Sequence, residues 1–125
     1  MQLFKLKTVI DQFETFADFA KAFALGERDL VITNDFLYEP FMKASQLPCH
    51  FVMQEHYGMG EPSEEMMNQI LHDLQGTDYD RVIAVGGGTV IDLSLIHICV
   101  TCQAKTKRVS RGSRSATCLS KCAKR

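Results

Sequence analysis

Three consecutive glycines separate a β-branched run from a threonine: Val85-Gly86-Gly87-Gly88-Thr89-Val90-Ile91-Asp92. Glycine lets backbone pass close to a bulky anion and present bare N–H groups to it. If the stretch opens a helix, the positive end of the helix dipole adds to the same site. The Thr89 hydroxyl can donate to a phosphate oxygen. A phosphate or pyrophosphate suits such a turn. The pattern is not the G-x-G-x-x-G fingerprint, and it has no Walker lysine. A second reading is a tight strand-to-helix turn that uses glycine for its backbone angles alone.

A second constellation lies further on. Cys99-x2-Cys102 and Cys118-x3-Cys122 are close to zinc-ribbon spacing. Lys105, Lys107, Arg108, Arg111 and Arg114 lie between the pairs and can contact nucleic-acid phosphates. On this alternative the chain is an α/β module with a zinc-binding, basic nucleic-acid-binding tail. Disulfides are a third option, but nothing in the front of the chain suggests secretion.

The glycine turn needs elements to position it. Leu3 to Lys7 alternates apolar and polar residues and reads as an edge strand. Asp11 to Leu25 reads as a helix with Phe13, Phe16, Ala17, Ala20, Phe23 and Ala24 on one face, stopped by Gly26. Leu30 to Thr33 suits a buried strand, and Asn34-Asp35 supplies turn or cap chemistry. Phe36 to Gln46 reads as a helix, with Pro40 tolerable only near its first turn. Phe51 to Met53 is a third strand. Glu55 to Pro62 is a loop broken by Gly58 and Gly60.

Ser63 is a good N-cap, followed by Glu64 and Glu65 in the positive first turn. Met67, Ile70, Leu71 and Leu74 make an apolar stripe, and Gly76 ends that helix. Arg81 to Val85 is the strongest strand. Alternating strands and helices, with apolar runs in the strands, predict an α/β fold with a parallel sheet covered on both faces. In such sheets ligands bind at the carboxyl ends of the strands.

A chain of 125 residues suffices for one domain. No apolar run of about eighteen residues predicts a membrane span, and no secretory signal is read at the front. The net charge of −1 conceals an asymmetry. Residues 1–92 carry 6 basic and 15 acidic residues, whereas 93–125 carry 8 basic and none acidic. The composition changes near residue 92. Residues 93–98, LSLIHI, also match the in-frame translation of a common sequencing-library transposon end. The expected organisation is a partial dinucleotide-binding domain over 1–92, then a tail over 93–125 foreign to it, disordered or artefactual.

LVITNDFLYEPF, QEHYGMGEPSEEMMNQI and YDRVIAVGGGTVID together resemble the amino-terminal part of iron-containing alcohol dehydrogenases, in particular the 4-hydroxybutyrate dehydrogenase branch. The resemblance runs from about Leu3 to Asp92. It implies a Rossmann-like, dinucleotide-binding amino-terminal domain followed by a helical one. Gly86, Gly87 and Gly88 match the family element that holds the NAD pyrophosphate, Thr89 stands for its Ser, and Asp92 matches its Asp. An acidic family residue at the adenosine ribose corresponds here to Asn34, with Asp35 beside it. That departure leaves NAD or NADP open. Glu61-Pro62-Ser63 stands where many members have Asn-Pro-Thr near the cofactor.

The implied reaction is reversible hydride transfer between a primary alcohol and its aldehyde, 4-hydroxybutyrate and succinate semialdehyde being the pair the branch suggests. A divalent metal, usually iron, polarises the oxygen. Its ligands correspond to no residue of this chain. His50, His56 and His72 do not match them and read as surface or loop histidines. Met59, Met66 and Met67 read as core filler or exposed thioethers. With its cofactor helix losing the family pattern after Asp92, the chain is expected to bind dinucleotide weakly or not at all and to be inactive alone. A sugar-phosphate or glycerol dehydrogenase, or a dehydroquinate-synthase-like enzyme, is a further alternative with similar glycine motifs. A cytoplasmic location and a homo-oligomer fit the implied chemistry.

Overall fold

The computed structural model describes residue 1 and residues 8–109, with side chains as far as residue 101. The strand expected at Leu3 to Lys7 and the cysteines Cys118 and Cys122 lie outside the described residues. Elements follow in the order α1 (Phe16–Ala22), β1 (Asp29–Thr33), α2 (Asp35–Phe41), β2 (His50–Met53), α3 (Glu64–Asp73), β3 (Arg81–Ala84) and α4 (Gly88–Val109).

Helix α1 is shorter than its apolar spacing predicts, because its caps lie inside the predicted span. Thr15 caps the start: its hydroxyl oxygen accepts from the Asp18 N–H at 3.1 Å and donates to the Asp18 carboxylate at 2.6 Å. At the other end, Leu25 N–H reaches back to the Ala20 carbonyl and Ala24 N–H to that of Lys21, the Schellman pattern. The left-handed residue this requires is Ala24, at φ 48°, and not Gly26. Of the predicted face, Ala20 is buried, while the phenylalanines cluster edge-on near the surface, Phe13 against Phe19 and Phe23.

Helix α2 also stops early. Pro40 sits near its end, not in its first turn. Proline brings no N–H and crowds the preceding turn, and after Met42 the chain tightens to a 3₁₀ turn over Lys43–Ser45. Helix α3 agrees with its prediction: the Ser63 hydroxyl accepts from the Met66 N–H at 3.2 Å. Glu65, in the first turn, is held below the usual carboxylate range by hydrogen bonding to its own N–H and to Ser63. After this helix Gly76 turns left-handed at φ 81°.

The three strands form one parallel sheet in the order β2-β1-β3, consistent with part of a Rossmann-like domain. Val31 pairs with Phe51 on one side and Ile83 on the other. The chain moves from β1 to β2 and then crosses to the opposite side of β1. A topological switch point therefore lies between the carboxyl ends of β1 and β3. Leu30 and Ile32 face a core shared with Val52, Met66, Met67, Ile70, Val90 and Leu93. Val31 and Thr33 alternate to the other face and are fully buried.

Arg81 ties the base of the sheet together. Its guanidinium makes a two-pronged bond to Asp29, at 2.6 and 2.8 Å, and donates to the carbonyls of Phe23 and Ala24 just past α1. Asp29 also accepts from the Gly26 N–H at 2.7 Å.

The boundary expected after Asp92 falls inside α4, whose backbone continues to Val109. Leu93, Ser94 and His97 are buried, while Ile91, Leu95, Ile96 and Ile98 are exposed. His97 shares a 2.6 Å hydrogen bond with the Tyr79 hydroxyl, and its buried Nδ1 has no partner among the described residues. Burial pushes its pKa down. No helix among the described residues is long and apolar enough to cross a membrane.

Candidate functional site

Asn34, Asp35 and the glycine turn all lie at the carboxyl end of the sheet. Each strand hands on to a polar or glycine residue there: Asn34 after β1, Gln54 after β2, and Gly86 one residue beyond Val85, whose N–H still bonds the Ile32 carbonyl at 2.9 Å. Thr33 reinforces this end by donating its hydroxyl to the Val85 carbonyl at 2.8 Å.

The three glycines are not equivalent. None adopts a left-handed φ, so backbone angles do not explain them. Gly86 is required for space: a Cβ there would stand 2.9 Å from both Asn34 Oδ1 and Val90 Cγ2. A Cβ on Gly87 or Gly88 would meet nothing within 4 Å. Both are exposed. Neither packing nor a left-handed backbone accounts for them. Gly87 accepts the Ile91 N–H, so α4 begins there and its first N–H groups point out of the turn.

An open groove of about 550 Å³ borders this helix start, lined by Glu61, Pro62, Gly88, Thr89, Asp92, Leu95 and Ile96. Glu61-Pro62 and the end of the glycine element, far apart in sequence, thus border one groove. Thr89 is half-buried at the wall and Asp92 is exposed one turn further on.

Asn34 and Asp35 follow β1 at the same end of the sheet, outside the groove lining, and are already engaged. Asn34 is buried, and its Nδ2 donates to Gln54 Oε1 at 3.1 Å instead of its side chain capping α2. The Asp35 N–H donates to Glu55 at 3.2 Å, and the Asp35 carboxylate lies 3.0 Å from His56 Nε2. Spacing alone does not mark Gln54 and Glu55, the partners of Asn34 and Asp35 here. Their one signal is position, directly after a buried strand on the ligand side of a parallel sheet.

Among the described residues no group of three or more His, Cys, Asp or Glu can hold a metal ion. His50 is half-buried in β2, whereas His56 and His72 are exposed. Met66 and Met67 are core, and Met59 is exposed. Cys99 and Cys102 fall on α4.

Residues 8–118 match the family model for iron-containing alcohol dehydrogenase. The chain is 46% identical over 96 residues to 4-hydroxybutyrate dehydrogenase of Clostridium kluyveri. That match covers 77% of the chain and 26% of the relative, so the chain spans about a quarter of its relative's length. No solved structure matches.

Proposed function

The chain belongs to the iron-containing alcohol dehydrogenase family, and on that premise we propose that its residues 1–92 carry the dinucleotide-binding elements of an NAD(P)-dependent alcohol dehydrogenase. The carrying observation is the pair Gly87 and Gly88, bare at a helix start with nothing within 4 Å of where a side chain would begin. Their N–H groups and the α4 dipole bind the cofactor pyrophosphate. Thr89 donates its hydroxyl to a phosphate oxygen, and Gly86 lets the turn lie against Asn34. Asp92, and Asn34 with Asp35 at the end of β1, border the cofactor, the last two toward the adenosine ribose. When bound, the nicotinamide supplies the hydride exchanged between a primary alcohol and its aldehyde. The relative's name extends this to 4-hydroxybutyrate and succinate semialdehyde as the pair for the whole protein.

The family also implies a divalent metal. The described residues offer no donor group that fits one, so no step is assigned through it and the chain alone is expected to be inactive. Binding is expected to be weak, with a dissociation constant of about 1 mM.

An NMR titration of the chain with NAD tests the reading. The amide signals of Gly87, Gly88 and Thr89 should shift and approach saturation at a few times that concentration. Signals that stay in place up to about 10 mM NAD, a range in which even millimolar affinities show, rule it out.

A further inference from the structure

We propose that Gln54 is a positioning residue for the dinucleotide groove, holding both of its walls through one buried amide. The proposal rests on the dinucleotide reading above. Gln54 is 6% exposed, and both ends of its side chain are spent. Its Oε1 accepts from Asn34 Nδ2 at 3.1 Å, and its Nε2 donates to the Gly58 carbonyl at 2.7 Å.

The first bond fixes the turn that leads into one wall. It turns the Asn34 amide away from capping α2 and sets its Oδ1 against the glycine turn, 2.9 Å from where a Cβ on Gly86 would be. The turn that presents Gly87 and Gly88 therefore leans on an oxygen whose place is set by Gln54.

The second bond fixes the other wall. Gly58 is left-handed at φ 143°, and a Cβ there would lie 2.6 Å from Met66 Cε. The chain passes against the Met66 side chain of α3 at this point, and the Gln54 amide holds the Gly58 carbonyl as it does so. Three residues on, Glu61 and Pro62 line the groove opposite Gly88, Thr89 and Asp92. A methionine at position 54 fills the volume but makes neither bond. A glutamate keeps the acceptor toward Asn34, and only when protonated can it donate to Gly58.

NAD titration of wild-type chain, Gln54→Met and Gln54→Glu by NMR tests this, with amide hydrogen exchange measured on the ligand-free proteins. For Gln54→Met, the dissociation constant should rise about fivefold or more, the effect of a lost buried hydrogen bond. Exchange at residues 58–61 and 86–89 should rise together while that of Val31 and Ile32 in β1 stays put. For Gln54→Glu, affinity should fall at pH 8 and return toward wild type at pH 5.5. Glu55, His56 and Asp35 lie at the same sheet end in both proteins, so the wild-type pH profile is the reference. Wild-type affinity in a folded Gln54→Met chain overturns the proposal. If that variant does not fold, a Gln54→Glu profile parallel to wild type overturns it instead. A wild-type chain that shows no shift at Gly87 to Thr89 sinks the dinucleotide reading, and this proposal with it.

Discussion

Within the glycine run, stability and binding separate residue by residue. Gly86→Ala would drive a methyl into Asn34 Oδ1 and Val90, and such overpacking costs about 1–3 kcal/mol. Gly88→Ala meets nothing and sits in the first turn of a helix, where replacing glycine stabilises by about 0.5–1 kcal/mol. Urea denaturation of the two variants should move in opposite directions, while NAD titration shows both weakened. The sequence marked the three glycines as one motif. It could not divide them, because the dividing contacts come from residue 34, brought close by strand pairing. The same holds for Gln54. A polar residue in a loop is unremarkable in sequence, and its burial depends on Asn34 and Gly58 arriving at its two ends.

Among the elements, strands were more legible than helices. β1, β2 and β3 follow short apolar runs too short for a helix, although only β1 is buried along its whole length. α1 and α2 are shorter than their apolar spacing predicts, because periodicity marks a face but not the caps. Thr15 and Ala24 set the limits of α1, and Ala24 adopts a conformation that its residue type does not announce. The Asp29–Arg81 bond was likewise invisible, since it joins the starts of two strands 52 residues apart. Hydrogen bonding to Arg81 holds the Asp29 carboxyl below its ordinary range. A lowered carboxyl pKa adds stability above the unfolded-state value, and that stability is lost as pH falls through the folded-state value. Asp29→Asn should therefore cost about 1–3 kcal/mol near neutral pH, with Arg81 half-exposed and screening keeping the figure modest. The gap between variant and wild type should narrow below about pH 4, read by urea midpoints across a pH series.

At the scale of the whole molecule, every strand contact is parallel and passes through β1. No hairpin exists among the described residues to form early and locally. Pairing β1 with β2 closes a loop of 20 residues, whereas pairing it with β3 closes one of 52. The longer closure costs about 0.8 kcal/mol more in chain entropy. It must also wait for α3 to cross the sheet. Time is thus written into the strand order. In pulse-labelled hydrogen exchange during refolding, the Val52 amide of β2 should be protected before the Ile83 amide of β3. Simultaneous protection would mean that the sheet assembles in one step. If the order holds, the glycine turn, which follows β3, is the last part of the sheet to acquire its shape, so a newly folding chain has its first strand pair before it has a place for a ligand.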